Sequence, residues 1–144
     1  MTEGRLRILF LCTANSCRSQ MAEGWARALR GGEIEAYSAG TAPSTVNPLA
    51  VEVMREAGVD LSQHRSKHLS EYLGEDFDYV VTLCGDAHET CPVFPGAKRM
   101  VHHGFPDPAK AAGGREEVLA EFRRVRDLIK EFVAGLPGSL EEVE

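Results

Sequence analysis

The first patterned stretch is Arg5-Leu-Arg-Ile-Leu-Phe-Leu-Cys12, apolar almost without interruption after Arg7. A run of that kind predicts a strand buried on both faces, as at the centre of a parallel sheet. Thr13 to Ser19 is a polar turn. A helix follows, with Met21, Trp25 and Leu29 spaced to share one face, and Gly31-Gly32 ends it. Ile34 to Ser38 predicts a second, short strand. Asn47-Pro48 reads as an N-cap followed by proline at the first helical position, with Gly58 closing that helix.

Leu69 to Leu73 has the length of a short helix. Asp78 to Leu83 predicts the third strand, because Tyr79-Val-Val-Thr-Leu is strongly β-forming. Met100-Val-His-His103 is the candidate fourth strand. A long amphipathic helix spans about Arg115 to Ala134, its stripe being Val118, Leu119, Phe122, Val125, Ile129 and Phe132. Gly135 and Pro137 stop it, and Glu141 to Glu144 reads as a frayed tail. Strands alternating with helices predict an α/β fold: a four-stranded parallel sheet flanked by helices on both faces.

Composition narrows the function. With 144 residues and 43% hydrophobic content, residues 1–144 read as one domain. No apolar run suggests a membrane span, and the opening residues lack a secretory core, so a cytoplasmic protein is expected. The net charge of −6 argues against nucleic acid as a partner. Twelve arginines and four lysines still leave room for a local oxyanion site. The four cysteines, Cys12, Cys17, Cys84 and Cys91, lack the C-x-x-C spacing of common zinc sites, and structural disulfides do not suit a cytoplasmic setting.

The chemistry concentrates in Cys12-Thr13-Ala14-Asn15-Ser16-Cys17-Arg18-Ser19, between a buried strand and a helix start. Small residues let backbone amides turn inward around a tetrahedral anion, and the helix N-terminus adds its positive end. Arg18 can bracket two oxyanion oxygens with paired donors. Free cysteine is mostly thiol at neutral pH, whereas helix N-termini and cations favour the nucleophilic thiolate. Ser19 could donate a hydrogen bond to the Cys12 sulfur. Cys17 is expected to pack, with its amide facing the anion, and Asn15 to shape the loop in a left-handed conformation.

C-x5-R-S so placed resembles the low-molecular-weight protein tyrosine phosphatases. The resemblance implies the same four-stranded sheet, and an Asp-Pro pair on a later loop as general acid; Asp107-Pro108 fits. Read without the resemblance, Asp107 is a turn or capping residue.

Three further segments carry a narrower resemblance, to thioredoxin-coupled arsenate reductases. They are Tyr79-Val-Val-Thr-Leu-Cys-Gly-Asp-Ala-His-Glu-Thr-Cys-Pro92, Tyr37-Ser-Ala-Gly40 and Phe122-Arg-Arg-Val-Arg-Asp127. The opening Phe10 to Trp25 agrees. This resemblance implies arsenate as substrate, with phosphate or sulfate as mimics. It further implies Cys12 as nucleophile, Cys84 attacking Cys12, Cys91 resolving the disulfide, thioredoxin as reductant, and arsenic detoxification as the purpose. No cofactor or metal is expected, and nothing requires more than a monomer. The alternative is a phosphatase that uses Cys12, Arg18 and Asp107 alone; a non-catalytic thiol switch would leave the loop without a purpose.

His64, His68, His88, His102 and His103 are not spaced as metal ligands and read as solvated or capping, although His88 lies between Cys84 and Cys91. Some members of the resembled family bind potassium beside the anion loop with an acidic side chain after a serine. Here Arg65-Ser66-Lys67 puts a lysine at that position, so no potassium requirement is expected.

Overall fold

The computed structural model describes residues 5–83, 94 and 96–136. Its sheet has four strands: β1 (Leu6–Cys12), β2 (Ile34–Gly40), β3 (Phe77–Thr82) and β4 (Ala97–His102). Their spatial order is β2-β1-β3-β4, and every pairing is parallel. The α-helices are α1 (Arg18–Arg30), α2 (Pro48–Glu56) and α3 (Arg115–Ala134). Two short 3-10 helices, Leu69–Tyr72 and Pro108–Lys110, complete the described elements.

Period-two alternation divides the core in two. Ile8 and Phe10 of β1 join Met21 and Trp25 of α1, Val53 and Met54 of α2, and Phe122 and Ile129 of α3. Leu9 and Leu11 face the other way, into a smaller cluster with Ala39, Phe77, Val80 and Phe94 that Leu69 and Tyr72 help to close. Both faces of the sheet are therefore covered, which is why β1 has no polar face. The order also makes the gap between β1 and β3 a topological switch point, where ligands of open parallel sheets bind beyond the strands' carboxyl ends.

Where the elements depart from the sequence pattern, the reasons are physical. Helix α1 begins at Arg18, inside the expected turn, and its residues are buried from Arg18 to Ala26. Leu29, expected on the buried face, is 41% exposed because the last turn of α1 runs out past the core; Ala22 and Ala26 fill that face instead. Strand β4 begins at Ala97, three residues before the expected start at Met100. It is an edge strand, with Lys98, Arg99 and Met100 exposed and Val101 buried, so it carries no apolar run to read. Helix α2 keeps its expected cap: the Asn47 side chain accepts from the Leu49 amide, and Gly58 takes a φ of +87° beyond its end.

Among the described residues no helix is long and apolar enough to cross a membrane. Phe122 is 1% exposed at the centre of the larger cluster, while Leu128 on the same helix is 38% exposed. Phe122→Ala should lower the unfolding free energy by about 3–5 kcal/mol. Leu128→Ala should change it by less than about 1 kcal/mol, since little of its surface is buried. Urea denaturation of both variants checks the assignment of the α3 face.

Candidate active site

Cys12 closes β1 at the switch point, 2% exposed, and the loop after it runs directly into α1. The carbonyls of this loop are tied to the surrounding structure. Thr13 O accepts from the Ala42 amide (2.9 Å), Ala14 O from the Ser66 hydroxyl (2.8 Å) and Ser16 O from the Asn47 amide (3.0 Å). Asn15 O accepts from Gln20 Nε2 (3.1 Å). A trans peptide points its N–H opposite to its C=O, so tethering these carbonyls outward turns the following amides toward the inside of the loop. No acidic side chain occupies the first turn of α1, which leaves the positive helix end to an anion.

Two positions make the tight turn feasible. Asn15, fully buried, has a φ of +49°, a left-handed conformation that asparagine tolerates better than most residues. Gly40 ends the neighbouring strand where a Cβ would stand 2.4 Å from Thr13 O and 2.7 Å from Cys12 O. Only glycine lets the loop approach that closely. Gly40 N donates to Lys67 O, joining the loop, β2 and the Ser66–Lys67 segment.

The hydrogen bonds behind Cys12 have a fixed direction. The Lys67 backbone amide, which can only donate, gives its proton to Asn15 Oδ1 (2.8 Å), and Gln20 Nε2 donates to the same oxygen (3.0 Å). Asn15 Nδ2 therefore faces Ser19 Oγ (2.7 Å) and donates to it. That bond takes one of the two Ser19 lone pairs, and the hydroxyl proton can turn to the Cys12 sulfur, 2.9 Å away. With the proton so turned the sulfur is the acceptor, the arrangement that suits a thiolate.

Arg18 is 3% exposed. Its Nη1 donates to Leu83 O (3.3 Å) and Phe105 O (3.2 Å), the chain just beyond the carboxyl ends of β3 and β4. Asp107 Oδ2 stands 3.7 Å from Arg18 Nη2, while Asp107 Oδ1 caps the following 3-10 helix by accepting from Ala109 N (3.0 Å). The capping and site readings of Asp107 thus coexist in one side chain. Cys12, Ala14, Ser16, Cys17, Arg18 and Asp107 line a cavity of about 100 Å³ with Ala109, large enough for a small oxyanion. Burial pushes the Cys17 thiol up to about 12, so it sits in the cavity wall as a neutral group.

The structure brings Cys12, Thr13, Ala14, Asn15, Ser16, Cys17, Arg18, Ser19 and Asp107 to one place. Cys84, Cys91 and His88 lie outside the described residues. Among the described residues no group of three or more His, Cys, Asp or Glu side chains is placed to hold a metal. His68 caps its 3-10 helix as expected, accepting from Ser70 N (3.0 Å). His64 departs from the expectation of a solvated residue: its side chain is 10% exposed, and Nδ1 lies 2.9 Å from Gln20 Oε1. His103 also departs from it, its ring tilted against Phe105 and Phe132 with centroids 4.9 and 4.3 Å away. Gly40 and Gln20 were not expected at the loop, and Ser66 and Lys67 were placed beside it only through the resemblance to potassium-binding relatives, not as its builders. Among them, a glycine ending a strand beside a Cys-loop was the one visible signal.

Comparison with known proteins agrees with this geometry. The family model described as low molecular weight phosphotyrosine protein phosphatase matches residues 7–144. The chain belongs to that family. An arsenate reductase of Halalkalibacterium halodurans is 54% identical over 122 residues, which cover 85% of this chain and 88% of that protein. An arsenate reductase of Bacillus subtilis is 50% identical over 129 residues, 87% of this chain and 93% of that one. Among solved structures, an arsenate reductase in the phosphate binding state matches with a TM-score of 0.78. It is 33% identical, and the match covers 96% of this chain and 99% of the other. The YwlE arginine phosphatase, at 22% identity and a TM-score of 0.70, shares the fold.

Two substitutions test how this family member builds its loop. Gly40→Ala should leave the protein folded but weaken sulfate binding by at least about tenfold, because the loop carbonyls must move by several tenths of an ångström. Ser19→Ala should slow iodoacetamide alkylation of Cys12 at neutral pH, since the sulfur loses its donor. Isothermal titration with sulfate and the alkylation rate are the respective measurements.

Proposed function

We propose that the protein reduces arsenate to arsenite through a relay of Cys12, Cys84 and Cys91, with thioredoxin restoring the reduced thiols. The observation that carries this reading is the position of Leu83. Its carbonyl accepts from Arg18, its amide donates to Leu11 O (2.8 Å), and Cys84 is the next residue in the sequence. The arsenate reductases among its relatives, at about half identity, support the same substrate.

Arsenate has the shape and charge of phosphate, so a loop built for one tetrahedral oxyanion binds the other. Phosphate and sulfate then act as mimics. The Cys12 thiolate attacks arsenic; a sulfur–arsenic bond forms, an arsenic–oxygen bond breaks, and a proton from Asp107 lets that oxygen leave as water. The Cys84 thiolate attacks the Cys12 sulfur. A disulfide forms, the sulfur–arsenic bond breaks, and its electron pair stays on arsenic, which departs as arsenite. The Cys91 thiolate attacks the Cys84 sulfur, expels the Cys12 thiolate and leaves Cys84–Cys91 for an external dithiol. On this reading the protein is a cytoplasmic, monomeric enzyme of arsenic detoxification.

Phosphatase chemistry is the second reading, favoured by the complete set of Cys12, Arg18, Ser19 and Asp107, which needs only water to finish hydrolysis. Arsenate-dependent NADPH consumption with thioredoxin and thioredoxin reductase separates the two. Wild type should turn over, and Cys84→Ser and Cys91→Ser should each abolish multiple turnovers. Aryl-phosphate hydrolysis that survives both substitutions, without arsenate-dependent oxidation in wild type, would assign a phosphatase instead.

Lys67 adds a second prediction. Its Nζ donates to Arg65 O (2.8 Å) and lies 4.0 Å from Glu23 Oε1, so an ammonium already serves the carboxylate behind the loop. Turnover should be equal in sodium and potassium buffers of the same ionic strength. A large stimulation by potassium would refute it.

A further inference from the structure

Behind the anion loop lies a buried polar cluster that the relay itself does not use. Glu23, 3% exposed, accepts from Ser38 Oγ (2.5 Å) through Oε1 and pairs with Arg27 (2.5 Å) through Oε2. Lys67, 8% exposed, and the His64 ring both approach the same Oε1, at 4.0 and 3.9 Å. The Lys67 ammonium and the His64 ring thus share one carboxylate oxygen.

Gln20 connects this cluster to the loop. Its Nε2 is surrounded by three acceptors: Asn15 O, Asn15 Oδ1 and Arg65 O (2.9 Å). That fixes the amide orientation and turns Oε1, an obligate acceptor, toward His64 Nδ1. His64 Nδ1 must therefore carry a proton, and any second proton must go on Nε2. The His64 side is one wall of an open cleft lined also by Arg27, Asp60 and Gln63.

We propose that Lys67 is a positioning residue: its internal ammonium supplies the charge that Glu23 needs behind the loop and keeps His64 an uncharged Nδ1–H donor to Gln20. The charges that face His64 are Glu23 and Arg27 from α1, Asp60 from the segment after α2, and Lys67. Lys67 is further influenced by Arg65 and Glu71, which pair with each other at the surface. The balance opposes a third cation. Burial holds His64 below its ordinary range, and Arg27 and Lys67 push the same way against the pull of Glu23 and Asp60. The loop then sees one constant charge from behind across the neutral range. This rests on the reading of the loop as an oxyanion site and not on the cysteine relay.

Removing the ammonium should hand its place to His64. In Lys67→Met the imidazole becomes the cation for Glu23, and its titration midpoint, followed by NMR of the ring carbons, should rise by about one pH unit or more. Below that midpoint the charged ring substitutes for Lys67; above it the carboxylate is left short of a partner behind the bound anion. Sulfate, which keeps its charge from pH 5 to 9, is the probe. Its affinity for Lys67→Met should fall as pH rises through the new His64 midpoint, with no such step in wild type.

Lys67→Arg retains the charge and should restore both the low midpoint and the flat sulfate profile. Should Lys67→Met not fold, Glu23→Gln gives the reciprocal test: without the carboxylate, the His64 midpoint should drop further. A His64 midpoint unchanged by Lys67→Met, or by Glu23→Gln where Met is not tolerated, overturns the proposal. So does a sulfate affinity lowered equally at every pH. Failure of wild type to bind sulfate at all would instead count against the oxyanion site, and the His64 midpoints would still decide the role of Lys67.

Discussion

The polarity of one hydrogen-bond chain decides what Cys12 can do. It starts at the Lys67 backbone amide, a donor that cannot reverse, passes through the Asn15 side chain and the Ser19 hydroxyl, and ends on sulfur. The two donors on Asn15 Oδ1 leave the Asn15 amide one orientation. A serine alone beside a cysteine could donate or accept, and would favour neither thiol nor thiolate. With Asn15 donating to one of its lone pairs, its proton is available to the sulfur, where it stabilises negative charge. The other features of the site serve to keep this chain in register: the left-handed turn at Asn15, the close approach at Gly40 and the tethered carbonyls.

The sheet order supplies the remaining geometry. With β1 between β2 and β3, the loop after β1 meets the chain leaving β3, and Arg18 ties the two together through Leu83 O. Arg18 also reaches Phe105 O beyond β4, on the loop that brings Asp107. One buried guanidinium therefore spans the carboxyl ends of three adjacent strands. Its charge faces the cavity, and its donors to main-chain oxygens hold its plane, so little reorganisation is needed when an anion arrives.

The strands and helices with strong periodicity were legible from sequence alone. Strand β1 shows as an apolar run because both of its faces are covered, and α3 shows as a stripe because one face is. Strand β4 was half visible, since an edge strand packs few residues and its pattern is mostly polar. Leu29 misled for the opposite reason: its spacing is right, but the helix outruns the core it packs on. At the site, Cys12, Arg18 and Ser19 announce themselves by residue type and spacing, and Asp107 only through the family resemblance. Lys67 and Gly40 do not, because the loop uses the amide and carbonyl of one and the missing side chain of the other. Such roles depend on which segments the fold brings within hydrogen-bond reach, and spacing along the chain holds no record of that.

The same constraint bears on how hydrolysis and reduction can share a scaffold. Both begin with a thiolate attacking a tetrahedral centre held by amides and an arginine, so the loop need not differ between them. They diverge at the second step. In hydrolysis a water attacks the central atom and sulfur leaves with its electrons. In reduction a thiolate attacks sulfur and the electrons go to the central atom. The second outcome requires a thiol able to reach the back of the Cys12 sulfur. In the sequence Cys84 directly follows Leu83, whose carbonyl Arg18 ties to the loop, and that adjacency is what the proposed relay uses.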